Sequence, residues 1–76
     1  MHKEGGKMDM ETVISTNVAA VGYDPATRTM RVAFQSGGLY DYYNVEPALF
    51  EQMLLPYPWR RIGFRVKRHK HKRLAA

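Results

Sequence analysis

The sequence predicts an α+β domain: a small antiparallel β-meander of three to four strands, covered on one face by one short helix. Three observations lead there. Residues 28–45, "RTMRVAFQSGGLYDYYNV", alternate apolar and polar side chains on either side of a glycine pair. Residues 46–56, "EPALFEQMLLP", carry a single apolar stripe at helical spacing. The chain has 76 residues, which is one domain. A domain of this size hides only about 60% of the surface its unfolded chain exposes, so its core is thin.

The elements follow in order. Residues 1–10 look like a leader: Gly5-Gly6 is flexible and no hydrophobic period appears. The folded domain is expected over 11–67 and a basic tail over 68–76. The first strands lie between Thr12 and Tyr23, in "TVIS" and "NVAAVGY". Asp24-Pro25-Ala26-Thr27 is a turn, with Asp in the capping position and the φ of Pro pre-set. In the next strand Met30, Val32 and Phe34 point one way, and Thr29, Arg31 and Ala33 the other.

A three-residue loop, Ser36-Gly37-Gly38, is the expected hairpin closure. It would pair Phe34 with Tyr40 and Val32 with Tyr42, and leave Asp41 and Tyr43 on the outer face near Arg31. A two-residue Gly-Gly loop would instead turn Asp41 onto the apolar face. Pro47 suits the first position of the helix, and Leu49, Phe50, Met53 and Leu54 form its stripe. At two to three turns this helix cannot hold alone and must lie on the sheet. Pro56 and Pro58 are expected to stop it. Beyond them, Ile62, Phe64 and Val66 alternate with Arg61, Arg65 and Lys67, the pattern of a half-buried edge strand. Arg68 to Arg73 then lack apolar partners and are expected to project into solvent.

The net charge of +5 is unevenly spread. Residues 1–58 hold four Lys or Arg against all seven acids, whereas residues 59–76 hold eight against none. Such an asymmetry suggests a polyanionic partner for the basic end. There is no cysteine, which excludes disulfides and thiolate zinc sites and fits a reducing compartment. No apolar run approaches a membrane span, and "MHKEGGKMDMETV" contains no signal-peptide core. A cytoplasmic location is the expectation.

Tyr23-Asp24 before a turn, the alternating strand Met30 to Phe34, Ser36-Gly37, Tyr40-Asp41-Tyr42, Val45 and the short helix Pro47 to Leu54 occur together over residues 13–55. In that combination the chain resembles the KTSC family. This family takes its name from an extension at the C-terminus of some lysyl-tRNA synthetases, and it also occurs as a free-standing bacterial domain. Beyond Leu55 the chain has "PYPWRRIGF" where the family has a Ser-x-Gly turn and an aromatic-Asn pair. The resemblance implies RNA binding, by association with the synthetases, and implies no enzymatic activity.

The residues themselves point the same way. Arg60, Arg61, Arg65, Lys67, Arg68, Lys70, Lys72 and Arg73 form the strongest functional feature. Phosphate backbones attract such clusters through counterion release, and planar guanidinium groups suit phosphate oxygens. The plainer reading, a solubilising tail, requires a less dense run. Trp59 and Tyr43 are candidate stacking surfaces for unpaired bases. Trp59 has a second, simpler reading as a cover over the open end of the core, and Tyr40 and Tyr42 read as core. His69 and His71 would share a strand face, but two imidazoles among cations make an incomplete metal site. No metal or cofactor is expected.

Asp24 belongs to its turn, and Asp41 and Glu51 are expected to be exposed and isolated, so no catalytic constellation appears. The expected function is therefore a non-enzymatic RNA- or nucleic-acid-binding module acting through the basic segment. The alternative is a protein-interaction module, such as an accessory subunit or a phage or mobile-element protein acting on a host complex. It would engage its partner through the outer sheet face or an edge strand.

Overall fold

A computed structural model describes residues 8–75. Five strands form one antiparallel sheet in chain order: β1 (Met10–Thr12), β2 (Val18–Asp24), β3 (Thr29–Phe34), β4 (Leu39–Tyr42) and β5 (His71–Ala75). Two helices, α1 (Pro47–Met53) and α2 (Pro58–Val66), lie between β4 and β5 in the chain. The expected α+β meander is present, with one strand and one helix more than the sequence suggested.

The alternation in β3 does what its period dictates. Met30 and Val32 are fully buried, while Arg31 and Ala33 on the other face are not. Cross-strand pairing joins Val21 to Val32 and Tyr23 to Met30, which extends one apolar face across the sheet. Leu49 and Met53 of α1, and Ile62 and Val66 of α2, close that face. Each pair is four residues apart, so each helix presents one stripe to the sheet. Tyr23 stacks on Phe50 with ring centroids 5.0 Å apart, and its hydroxyl donates to the Val45 carbonyl at 2.6 Å. The start of α1 is thereby tied to β2.

The β3–β4 loop has three residues, but they are Gln35-Ser36-Gly37. The Phe34 amide donates to the Gly38 carbonyl at 2.8 Å, and the Gly37 amide to the Phe34 carbonyl at 2.9 Å. Gly37 takes the left-handed position, with φ 107°. Gly38 starts the return, where a Cβ would come within 3.1 Å of the Tyr40 ring. The register is therefore Met30–Tyr42 and Val32–Tyr40, two residues from the expected pairing. A slip of two preserves every side chain's face, so the inward and outward assignments survive although the partners change. On the outer face this register sets Arg31 opposite Asp41. The guanidinium grips both carboxylate oxygens, at 2.7 and 3.0 Å. Asp41 is thus buried and paired, where the sequence suggested an exposed, isolated acid.

The segment after the prolines departs most from expectation. Residues 62–66 are helix. Tyr57 turns into the left-handed region, with φ 55°, and its amide donates to the Ile14 carbonyl at 2.6 Å. Pro58 then occupies the first helical turn, so the second proline begins a helix instead of stopping one. Trp59, Ile62, Gly63 and Val66 follow the i, i+3, i+4, i+7 pattern of a helix face, and Phe64 is left 61% exposed.

The basic end is also not a free projection. Residues His71–Ala75 pair with β4 as an edge strand, every residue of it exposed. Charged side chains suit such an edge because they discourage pairing with other chains. At the other edge the leader boundary shifts, since Met10 belongs to β1 and pairs with Gly22. A Cβ on Gly22 would fall 2.6 Å from Met10 Sδ and 2.8 Å from the Asp9 carbonyl oxygen, so glycine is what admits this strand. Residues 1–7 of the expected leader lie outside the described residues.

Candidate functional site

Residue Trp59 leaves the first turn of α2 and packs over Gly63 one turn later. A Cβ on Gly63 would lie 2.9 Å from the indole, so only glycine permits that contact. The indole meets Phe34 at 4.9 Å and an interplanar angle of 83°, and Tyr42 at 6.4 Å. Tyr40 and Tyr42, two apart on β4, stack at 6.2 Å. Phe34 meets Tyr40 edge-on at 5.6 Å. The β4–β5 register places His71 opposite Tyr42 and Arg73 opposite Tyr40, and directly opposed residues share a face. His71 accordingly stands 5.5 Å from the Tyr42 ring, and the Arg73 guanidinium 5.9 Å from the Tyr40 centroid.

The result is an open groove of about 740 Å³ between α2 and the β4–β5 end of the sheet. Aromatic rings of Phe34, Tyr40, Tyr42 and Trp59 line it, together with the basic side chains Lys67, His71 and Arg73. Pockets that take organic ligands run to about 300–1,000 Å³, so its size suits one.

Tyr42 is only 4% exposed, and among the described residues its hydroxyl has no hydrogen-bond partner; Tyr23 holds the one bonded phenol there. Burial pushes the Tyr42 phenol above its ordinary value of 10.0, and neighbouring Tyr40 adds to the shift. The fold therefore favours the protonated form. That contribution is complete below pH 10 and is lost as pH rises through the higher folded value. Alkaline titration of stability should fall more steeply above about pH 10 in the native chain than in Tyr42→Phe, measured by urea midpoints at each pH.

The remaining basic residues go to different places. Arg61 is occupied by the protein. Its guanidinium donates to the carbonyls of Gln52 (2.8 Å), Pro56 (3.0 Å) and Leu55 (3.4 Å), and so satisfies the chain end of α1. Arg61→Gln should lower stability by about 1 kcal/mol in a urea melt, less than a charged hydrogen bond usually contributes because the group is solvent-exposed. Arg60 lies over the Tyr57 ring at 4.8 Å. Tyr43, Arg68 and Lys70 line a shallow depression beside Asn44, where the chain leads into β5. His69 there contacts the Tyr43 carbonyl at 3.0 Å. Arg65 joins Arg68 near Glu46. Lys72 pairs with Asp41 in the β4–β5 register and so sits on the outer face.

Of the residues singled out in the sequence, the fold brings Trp59, Lys67 and Arg73 into one groove. Phe34, Tyr40, Tyr42 and His71 join them there; the core reading of the tyrosines holds, since Tyr42 belongs to the buried cluster and Tyr40 packs against it, and both also line the groove. The usable signal was present: Phe34, Tyr40 and Tyr42 had already been placed on one face. Among the described residues no group of three or more His, Asp or Glu is placed to hold a metal. Nor, among the described residues, is any helix long and apolar enough to cross a membrane.

Comparison with known proteins bears on the part of the chain that supplies the groove's floor. The family model described as the KTSC domain matches residues 14–55, over half of the sequence. The chain belongs to the KTSC domain family. A protein of Tsukamurella paurometabola is 40% identical over 45 residues, which are 59% of this chain and 67% of that one. The crystal structure of a KTSC domain protein from Yersinia pestis superposes with a TM-score of 0.81, covering 90% of this chain and 99% of that one. At 21% identity that likeness is one of fold. Within this KTSC domain the family segment carries Phe34, Tyr40 and Tyr42. Trp59, Lys67, His71 and Arg73 come from the residues after it.

Proposed function

We propose that this KTSC domain is a small non-enzymatic module that binds RNA or another nucleic acid through its basic C-terminal segment, in the cytoplasm. One observation carries the reading. All eight Lys and Arg side chains of residues 60–73 are solvent-exposed, and among the described residues none of them rests on a carboxylate. The one ion pair there is Arg31–Asp41. Arg61 apart, which is held by the backbone carbonyls that follow α1, these cations are left to meet an outside anion. Its attachment to the sheet as β5 supports the reading further, because a strand holds cations at fixed spacing along an edge, at less entropic cost than a free tail.

The test is a titration with labelled single-stranded RNA at several salt concentrations. Engagement of four to six phosphates gives a slope of log affinity against log salt of about −3 to −4. Binding no tighter than that of an unrelated peptide of equal charge removes the proposal.

A second reading, a protein-interaction module, draws on Phe64 and Ile14, which are 61% and 65% exposed. The free edge of β5 could also extend a partner's sheet. Truncation after Val66 cannot separate the two readings, since it deletes β5 and uncovers β4. Neutralising the cations does separate them. A protein partner that persists in a pull-down after RNA binding is lost supports the second reading.

A further inference from the structure

The groove beside Trp59 offers more than charge. A general phosphate-binding surface needs cations and no exposed rings. Here Phe34, Tyr40 and Trp59 are only partly buried, and with the buried Tyr42 they line one groove. Tyr42 is 4% exposed as a residue, and among the described residues its hydroxyl has no hydrogen-bond partner. Buried hydroxyls normally find one, so this groove is suited to a ligand with a polar edge as well as a flat face. Two exposed cations, Lys67 at the C-terminal cap of α2 and Arg73 on β5, line the same groove as the rings.

Resting on the nucleic-acid reading above, we propose that this groove takes an unpaired base of a single-stranded nucleic acid. The base stacks against Tyr40 and Trp59, and Lys67 and Arg73 hold the phosphates on either side of it. A duplex hides its base faces and presents only backbone, so it cannot use the rings. The Arg73 guanidinium, 5.9 Å from the Tyr40 centroid, covers that ring in the free protein and moves to a phosphate when a base replaces it. Tyr43, with Arg68 and Lys70 just before β5, marks where the nucleic-acid strand would continue.

Trp59 is the only tryptophan of the chain, so its fluorescence reports this groove directly. The native protein is titrated with a single-stranded oligouridylate, the matching oligodeoxythymidylate, and an RNA duplex of equal charge. Saturable quenching by the single strands, and none by the duplex at concentrations where it binds, is the expected result. The two single-stranded arms show whether the sugar matters. Tyr40→Leu should weaken single-strand binding by about 5- to 150-fold, the effect of losing one stacked base, with the salt slope unchanged. Arg73→Gln should reduce the slope by about 0.7. Circular dichroism of each variant checks that it is folded. Equal quenching by duplex and single strand, or tight single-strand binding with no change in Trp59, overturns the groove assignment and leaves the charge-based function standing. Failure of every nucleic acid to bind removes both.

Discussion

Ile62→Ala should destabilise the domain by about 2–5 kcal/mol and Val66→Ala by about 1.5–3 kcal/mol, whereas Phe64→Ala should stay within about 0.5 kcal/mol. The three residues alternate in the sequence and would share one face of a strand, so a strand would make all three costly. In the helix Pro58–Val66 they separate. Ile62 and Val66, four apart, face the sheet at 8% and 0% exposure, while Phe64 is 61% exposed on the far side. Net stabilities of small domains are about 5–15 kcal/mol, so the Ile62 loss would consume a large share. Urea denaturation of the three variants measures this. Comparable losses at all three positions would return this segment to a strand.

Replacing Lys67, Lys70, Lys72 and Arg73 together by glutamine should weaken binding to single-stranded RNA by two to three orders of magnitude, about 10²- to 10³-fold, near 0.1 M salt. The magnitude follows from losing four phosphate contacts, each worth about 0.7 in the salt slope for a single strand. Stability should barely change. The four side chains are exposed, among the described residues none is ion-paired, and thinning like charges along β5 relieves repulsion. Arg61→Gln makes the converse control, since its guanidinium is committed to the carbonyls closing α1. It should cost stability and leave affinity nearly unchanged. A quadruple variant that binds RNA as tightly as the native chain at equal salt would exclude the segment as the interface.

The parts of the fold legible in the sequence were those set by local period and local chemistry. Met30 and Val32 alternate with Arg31 in a way only a half-buried strand satisfies. Asp24-Pro25 and the glycine pair mark turns whose dihedrals few other residues accept. The hairpin register was harder. Both three-residue loops place a glycine late in the turn, and only the position of the left-handed residue, Gly37, separates them. Because the two registers differ by two residues, the facing of Tyr40 and Tyr42 was still readable.

The failures share one cause. "IGFRV" is five residues long, too short for a period of two to exclude a period of 3.6, and each reading leaves a plausible apolar face. What decides for the helix is outside that stretch: Pro58 at its start, and Trp59 resting on Gly63. The segment "HKRLA" has no strand signature of its own and becomes a strand because β4 has a free edge to pair with. The sequence already sets Asp41 near Arg31 on the outer face; that the two lie directly opposite, so that the guanidinium grips and covers the carboxylate, depends on the register fixed by the turn.

For this protein, residue order alone established the central meander, the first helix, the inward face of the β3–β4 hairpin and the concentration of positive charge at one end. Those properties depend on neighbours two to four positions apart. Tertiary structure decided the second helix, the fifth strand and the groove, because each depends on what remains uncovered once other elements have packed. The groove is the clearest instance. It is the part of the sheet's apolar face, around Tyr40, that two short helices leave open and the cations of β5 come to border.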